Sequence, residues 1–276
     1  METRRMCPHC RAFITTSNRV CPYCEGEVGP RAVDRRSPKP VLGGFVPHAY
    51  FTTTMILLIN FGLFAATVIY SMRAGNPDAI MSVDPRTLFD FGAKLREAIQ
   101  YGQWWRLVTA GFLHGGLIHI LMNSWVLFDV GAQVEQIYGS ARLIVIYFAA
   151  TVFGFYASSV WSAGLSVGAS AGLLGLIGAM IAVGVKSRSP LGAEIRGLYT
   201  RWVIYILIIG FLPGLRIDNA AHIGGLAAGF ATGYVAGAPS LVETWSERAW
   251  RVAACLCVLI TAFCFYQMYR WFSASA

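Results

Sequence analysis

Charged side chains are scarce in this sequence: they make up 13% of its 276 residues, whereas 56% of the residues are hydrophobic. So few charges cannot cover the surface of a water-soluble chain of this length, which excludes one or two ordinary soluble domains. The apolar excess also excludes intrinsic disorder and collagen, and seven cysteines spread over so long a chain exclude a small disulfide scaffold. The net charge of +8 suits nucleic acid or an anionic membrane surface, and the apolar composition favours the membrane.

The first 48 residues differ from the rest because they contain eight Lys/Arg, four Asp/Glu and no apolar run of membrane length. They also lack the apolar core and small-residue cleavage site of a signal peptide, so we expect this part to stay uncleaved in the cytosol. The chain then divides into a metal-binding module over residues 1–28, a linker over 29–48, a membrane-embedded core over 49–240, and a further helix with a tail over 241–276.

The N-terminal module contains two CxxC pairs, Cys7 with Cys10 and Cys21 with Cys24, and each pair encloses a proline that sharpens its turn. Four thiolates brought together in this way suit tetrahedral zinc in a closed structural site. Redox-active CxxC pairs are the competing interpretation, but no βαβ pattern follows them. A module of this size has too small a core to fold alone, so we expect zinc to supply the folding energy. We interpret His9 as a bystander, because four cysteines already complete the ligand shell.

The linker holds Pro30, Pro38, Pro40 and Pro47 among several arginines, which predicts a semi-extended basic tether close to anionic lipid headgroups. Three roles stay open for the zinc module: recruiting a cytosolic partner, binding nucleic acid weakly through its basic residues, or capping the first membrane span. We do not expect nucleic acid to be a main partner, because the net charge is explained by orientation in a membrane.

Seven apolar stretches follow the linker. Most are close to the roughly 17–25 residues that a helix needs to cross a bilayer, and the fifth is shorter, as suits a tilted or partly buried helix. The sequence therefore predicts an all-α polytopic membrane protein. The predicted spans are Phe51–Met72, Leu107–Phe128, Leu143–Trp161, Ser170–Val185, Trp202–Leu215, Ala220–Ala236 and Trp250–Tyr269.

With the N-terminus in the cytosol, the inner segments hold fifteen Lys/Arg and the outer segments seven, which agrees with the positive-inside rule. Most of the inner excess beyond the N-terminus comes from the loop between Lys186 and Arg201. The long outer segment from Arg73 to Arg106 is too polar to cross the membrane. Its aromatic and amphipathic spacing predicts that it lies in the membrane interface.

Polar residues inside the predicted spans are the candidates for function, because a polar group in hydrocarbon is costly. Ser170 opens the fourth span, His222 lies near the start of the sixth, and His119 and Asn123 share a helical face in the second, with His114 about one turn before them. These three spans all enter from the outside, so we expect these residues at a similar shallow depth. An isolated serine in a membrane helix usually bonds to its own backbone. Together, a hydroxyl, an imidazole base and further donors are the parts needed for nucleophilic acyl transfer.

Glycines support a close approach of the fourth and sixth spans. Gly225, Gly229, Gly233 and Gly237 recur every four residues in the sixth span, and Gly168, Gly172, Gly175 and Gly178 lie in or beside the fourth. Such small-residue faces let helix backbones pack closely. Such faces also pack helices that have no catalytic role, but packing alone does not explain a serine and a histidine at the outer ends of these two spans.

Asp218 lies four residues before His222, and we interpret it as a solvated loop acid rather than as a third catalytic residue. The pattern Gly168-Ala-Ser170-Ala-Gly172 also fits the serine elbow of α/β-hydrolases, but no strand precedes it.

Taken together, these motifs resemble the rhomboid family of intramembrane serine proteases over about residues 50–240, in the arrangement with one extra helix after six. Five motifs in the right order and on the right sides of the membrane make the match specific. The matching residues are Trp105-Arg106, His114, His119, Asn123, Glu135, Tyr138-Gly139, Gly168, Ser170, His222 and Gly225.

The resemblance implies that Ser170 attacks the peptide carbonyl and that His222 acts as general base. It implies an oxyanion site made by Asn123, His119 and the Ser170 backbone amide, with no catalytic cofactor. Gly168 would permit close approach of the substrate chain, and His114 would organise water near the mouth of the site.

The resemblance further implies that Trp105, Arg106 and Glu135 are structural anchors. The expected substrates are single-span membrane proteins, cut near the outer end of their span, and the expected location is a bacterial inner membrane with the active site open to the outer side.

Two positions depart from the family pattern: Ala171 stands where a glycine is usual, and Leu174 where an aromatic ring would stack on the base. Leu174 can still pack against the imidazole. The main alternative is a catalytically inactive rhomboid-like protein that binds membrane clients, although such proteins generally lack the serine or the histidine. A polytopic transporter would be expected to show inverted repeats and charged intramembrane residues, and neither is found here.

Overall fold

The computed structural model describes residues 4–7, 9–10, 12–15, 18–28, 50–187, 189–212, 217–239 and 244–275. The predicted linker at 29–48 lies outside the described residues. Contacts along the chain separate two units, Met1–His48 and Ala49–Ala276, and each is described by itself below.

The first unit contains one antiparallel pair of short strands, β1 (Arg4–Met6) and β2 (Phe13–Thr15). Cys7, Ile14, Cys21 and Val28 are its buried hydrophobic residues among those described. A core of this size is far smaller than a domain needs to fold without metal, disulfides or a partner. The packing therefore agrees with a module stabilised mainly at its cysteines.

The second unit is a bundle of helices, as the composition predicts. The long helices are α1 (Phe51–Arg73), α5 (Leu117–Val126) continued by α6 (Ala132–Trp161), α7 (Ser170–Lys186), α8 (Pro190–Gly210), α9 (Asn219–Ala236) and α10 (Trp245–Ser275). Among the described residues, Phe51–Arg73, Leu117–Trp161 and Trp245–Ala274 are each long and apolar enough to cross a membrane alone, and Ser170–Lys186 is apolar but shorter. Helices α8 and α9 are not among the helices that meet this requirement of length and composition. The predicted fold class, an all-α polytopic bundle preceded by a small cysteine module, is confirmed.

The predicted start of the second span at Leu107 is wrong. Residues 106–112 form a short helix α4 (Arg106–Thr109) and a 3₁₀ turn (Ala110–Phe112), and the span begins only at Leu117. The chain between them is extended at Leu113 and Gly116. A side chain at Gly116 would overlap the Met81 carbonyl, so only glycine lets the outer segment lie against this turn.

Other helix ends also differ from prediction. A π-helical turn (Leu127–Gly131) joins α5 to α6, and Gly139, with a φ of 76°, breaks α6 into segments 132–138 and 140–161. Pro190 starts α8 twelve residues before the predicted span, because Ser189 caps it by accepting from the Gly192 N–H at 3.1 Å. The predicted end of that span falls in residues 213–216, outside the described part.

Helix pair α7/α9 lies at the centre of the bundle, and its close contacts follow a four-residue repeat. A side chain added at Gly225 would overlap Ala171, one at Gly229 would overlap Gly175, and one at Gly233 would lie 2.7 Å from the Ala179 Cβ. Because lipid gives apolar helices no hydrophobic reason to associate, close packing of this kind contributes to holding the pair together.

Two glycines of the predicted stripes have other structural roles. Gly172 faces Tyr147 of α6, with 2.5 Å between an added Cβ and the Tyr147 ring, and Gly237 ends α9 with a φ of 60°. The stripe on α9 therefore contacts α7 at three glycines.

The outer segment is ordered, and α4 is preceded by α2 (Pro85–Asp90) and α3 (Arg96–Gln100). Asp84 caps α2 by accepting from the backbone N–H groups of Arg86 and Thr87. Buried residues of this segment pack with α1 and α5 in a second core, as expected of an amphipathic segment that is not a plain linker.

Candidate active site

Ser170 and His222 face each other at the same end of the bundle. Ser170 is the first residue of α7, and His222 lies in the first turn of α9. The Ser170 Oγ and His222 Nε2 atoms are 2.9 Å apart, within hydrogen-bond distance. The contact between Ala171 of α7 and Gly225 of α9 explains this placement. Ser170 lies one residue before Ala171, and His222 lies one turn before Gly225.

His119 and Asn123 point toward the same place from α5. An added Cβ at Gly168 would lie 2.7 Å from the His119 Nε2 and 3.6 Å from the Asn123 Nδ2. Gly168 has a φ of 134°, which favours glycine, and its N–H donates to the Ala110 carbonyl at 3.0 Å. A glycine at this position therefore leaves a space, two residues before Ser170, into which both side chains project.

The hydrogen bonds of these two side chains leave donors in that space. The His119 Nδ1 accepts from the Gly115 N–H at 3.4 Å, so the neutral ring carries its hydrogen on Nε2. The Asn123 Nδ2 is buried and has no hydrogen-bond partner among the described residues. Two N–H donors, one of them the unpartnered Asn123 Nδ2, thus lie beside Gly168, two residues before the serine.

The sequence predicted that His114 lies one turn before His119 and Asn123 on the same helix, and this prediction is wrong. His114 lies in the extended stretch before Leu117, because α5 starts later than expected. The His114 ring is completely buried, packs edge-on against His119 at 5.2 Å, and has no hydrogen-bond partner at either nitrogen among the described residues.

The two departures from the family pattern are both buried. The Ala171 methyl group lies opposite Gly154 of α6, where an added Cβ would come within 2.8 Å of it. Glycine on the neighbouring helix thus leaves room for alanine at this position. Leu174 belongs to the main core, and its packing against the His222 imidazole stays a prediction.

Asp218 is half-buried, and both of its carboxylate oxygens are bonded, which the interpretation as a solvated loop acid did not predict. One carboxylate oxygen accepts from the Ala221 N–H at 3.0 Å and caps α9, while the other accepts from the Ser158 hydroxyl of α6. The His222 Nδ1 has no hydrogen-bond partner among the described residues. The carboxylate is occupied because a helix start leaves backbone N–H groups unsatisfied.

Arg106 anchors the outer segment. Its Nη1 donates to the carbonyls of Phe89 at 2.6 Å and Ala93 at 2.9 Å, and its guanidinium lies over the rings of Phe89, Trp105 and Trp271. Burial lowers the pKa of Arg106 to about 10, so it keeps its charge near neutral pH. The aromatic contact from Trp271 shows that α10 helps to hold this segment.

Glu135 anchors the other end of the bundle. Its carboxylate accepts from the backbone N–H groups of Thr52 and Thr53, each at 2.9 Å, at the start of α1. It also accepts from the hydroxyls of Thr53 and Ser140 at 2.8 Å. A carboxylate at a helix N-terminus is favourable both as a cap and toward the helix dipole.

Sequence reasoning missed the residues that fix the loop before Ser170. Lys94 is fully buried and its Nζ donates to the carbonyls of Ser162 at 2.6 Å and Gly164 at 3.1 Å. Its backbone exchanges two 3.0 Å hydrogen bonds with Ser166, and the Arg96 Nε donates to the Ser159 carbonyl at 2.7 Å. A lysine and an arginine two residues apart in an amphipathic segment carry no local signal of such bonds.

The four cysteines of the N-terminal unit could hold a metal ion. Their Sγ atoms all lie within 4.8 Å of one another, with 3.7 Å between those of Cys7 and Cys24 and between those of Cys10 and Cys21. Tetrahedral zinc with bonds of ~2.3 Å requires sulfur atoms ~3.8 Å apart, so the geometry fits. The His9 Nε2 pairs with the Glu27 carbonyl at 3.2 Å, as suits a residue outside the ligand set.

Comparison with known proteins agrees with this architecture. The rhomboid domain model matches residues 101–239. Rhomboid protease GluP of Bacillus subtilis is 40% identical over 160 residues, which are 57% of this chain and 31% of that protein, so the chain spans about a third of the length of GluP.

Two further relatives match over longer stretches. Rhomboid-like protease 2 of Toxoplasma gondii is 33% identical over 198 residues, 70% of each chain. RHOMBOID-like protein 5 of Arabidopsis thaliana is 30% identical over 235 residues, 75% of each chain. With a bundle of apolar helices and this extent of similarity, the chain is a multi-pass membrane protein that belongs to the rhomboid family of intramembrane proteases.

Proposed function

We propose that this protein is an intramembrane serine endopeptidase that cleaves single-span membrane proteins near the outer end of their transmembrane helix. The observation that carries the proposal is the 2.9 Å contact between the Ser170 Oγ and the His222 Nε2. Ser170 is partly exposed, whereas His222 is buried behind it. A base within reach of an accessible hydroxyl is the arrangement that nucleophilic catalysis requires.

In this mechanism the His222 Nε2 takes the proton of the Ser170 hydroxyl as the oxygen attacks the peptide carbonyl carbon. The imidazolium then donates that proton to the leaving amine, and the C–N bond breaks to leave an acyl-serine. A water molecule, deprotonated by His222, attacks the acyl carbon and releases the new carboxylate and free Ser170.

The negative charge that develops on the carbonyl oxygen is stabilised by the Asn123 Nδ2, the His119 Nε2–H and the backbone N–H of Ser170. This role is supported by the buried Asn123 Nδ2, which has no partner in the described chain, and by the His119 Nε2 beside Gly168. Such donors act most strongly where water is excluded. Gly168 leaves space for the substrate backbone, and His114 helps to keep water at the site.

We further infer that the cysteine module binds structural Zn²⁺ through Cys7, Cys10, Cys21 and Cys24, and that zinc plays no part in proteolysis. The module is cytosolic and the active site opens to the outer side of a bacterial inner membrane. The excess of Lys/Arg in the inner segments supports this orientation. Recruitment of a cytosolic partner by the module remains one of its candidate roles.

Fluorophosphonate labelling and cleavage of a transmembrane test substrate check the proposal together. We expect wild-type protein to be labelled and to cleave, and Ser170→Ala to do neither while keeping its thermal stability in detergent. Ser273→Ala is a matched control, because that exposed hydroxyl bonds to its own helix at the Tyr269 carbonyl. Substrate binding without cleavage by the wild type would instead identify an inactive, client-binding protein.

A further inference from the structure

The turn that holds His222 is the first of α9, and Ala221 in this turn is buried in a cluster with Ala171 of α7 and Phe155 of α6. The close backbone contact at Gly225 lies one turn further into α9. The first turn of a helix has unsatisfied N–H groups and frays unless something binds them. The partners of these N–H groups therefore help to keep the His222 imidazole within reach of Ser170.

Asp218 binds this turn in two ways. Its Oδ1 accepts from the Ala221 N–H at 3.0 Å, and its backbone carbonyl accepts from the His222 N–H at 3.1 Å. Its Oδ2 accepts from the Ser158 hydroxyl, which is completely buried near the end of α6. One residue thus caps the helix that holds the base and ties that cap to a neighbouring helix.

The buried cation Lys94 interacts with the Asp218 carboxylate. Lys94 donates to the Ser162 and Gly164 carbonyls, just after the end of α6. Burial lowers the pKa of Lys94, and the Asp218 carboxylate opposes that change, so the two charges interact. The same lysine that fixes the loop before Ser170 therefore also attracts the Asp218 carboxylate.

We propose that Asp218 and Ser158 are a positioning pair that holds the His222 imidazole at hydrogen-bond distance from Ser170. The proposal rests on the serine protease function proposed above. Neither residue takes part in the chemistry, because both Asp218 oxygens are bonded elsewhere. The pair instead determines how often the base and the nucleophile are aligned.

Two neighbouring serines provide the test. Ser158→Ala removes the bond to Asp218, whereas Ser159→Ala is the matched control because the Ser159 hydroxyl bonds to the Tyr156 carbonyl of its own helix at 2.7 Å. We expect Ser158→Ala to lower kcat and the rate of fluorophosphonate labelling about tenfold, as for loss of one hydrogen bond to a charged group, with KM unchanged. Ser159→Ala should match the wild type.

Variants of Asp218 distinguish the effect of its hydrogen bonds from the effect of its charge, and they leave the buried Ser158 of α6 unchanged. Asp218→Ala should be as slow as Ser158→Ala, and the double variant no slower than either, because the two residues act through one contact. Asp218→Asn should recover most of the activity, since its amide can accept from the Ala221 N–H and donate to the Ser158 oxygen.

The proposal is overturned if Ser158→Ala behaves like Ser159→Ala, if the effect falls on KM alone, or if Asp218→Asn is as slow as Asp218→Ala. The last result would assign Asp218 a role through its charge. A failure of the proposed function looks different: the wild type and Ser170→Ala would then give the same labelling.

Discussion

Replacing Gly229 with alanine tests how the bundle places the two catalytic candidates. An added methyl group would overlap the backbone of Gly175, whereas an ordinary contact needs 3.4–4 Å. To relieve the overlap, α7 and α9 must part by about 1 Å. The 2.9 Å contact between Ser170 and His222, which lies two turns away on the same helix pair, then approaches ~4 Å and ceases to be a hydrogen bond.

We expect Gly229→Ala to lower the rate of fluorophosphonate labelling and the kcat for a transmembrane substrate by about 100-fold, the usual cost of a 1 Å misplacement. Overpacking of the interface should also destabilise the protein by about 1–3 kcal/mol, measured as a lower Tm in detergent.

The matched control is Gly62→Ala in α1, where an added side chain meets nothing within 4 Å. It should keep wild-type activity and a Tm at least as high, because alanine is the better helix former. Gly229→Ala with wild-type labelling and wild-type Tm would show that close backbone contact does not set the position of the dyad.

Three further changes test separate parts of the structure. Asn123→Ala should lower kcat by about 100- to 1000-fold in steady-state assays, as for the loss of one oxyanion donor, with little change in KM; an unchanged kcat would remove Asn123 from the mechanism. Glu135→Gln should lower Tm, because an amide cannot accept all four hydrogen bonds that the carboxylate accepts; Gln136→Glu, on the exposed neighbour, is its control. Chelation of metal, or Cys10→Ser, should make residues 1–28 sensitive to protease and leave the Tm of the helical unit unchanged. If the Tm of the helical unit also falls, the two units do not fold independently.

Short-range patterns predicted much of this protein. Apolar runs of membrane length indicate helices because the bilayer offers no partner for backbone groups, and this predicted every long helix of the bundle. The polar exceptions Ser170, His222 and Asn123 stand out by the same reasoning. Helix ends were predicted less well, because Ser189, Pro190 and Gly139 act through caps and backbone angles that an average over apolar residues does not detect.

The contacts that arrange the site could not be predicted in this way. Lys94 and Ser162 are 68 residues apart, and Ser158 and Asp218 are 60 apart. Nothing near Lys94 indicates that its ammonium is buried against carbonyls, and nothing near Asp218 distinguishes a helix cap from a solvated acid.

The sequence alone determines the membrane class, the cysteine module and the residue types needed for acyl transfer, because each depends on composition or on residues a few positions apart. Only the tertiary structure decides that Ser170 and His222 meet at 2.9 Å, that His114 lies outside the helix of His119, and that Asp218 is bonded away from the imidazole. These depend on how closely α7, α9 and α6 approach. The glycine spacing indicates that α7 and α9 approach closely, but which residues of the three helices meet is set only in the folded bundle.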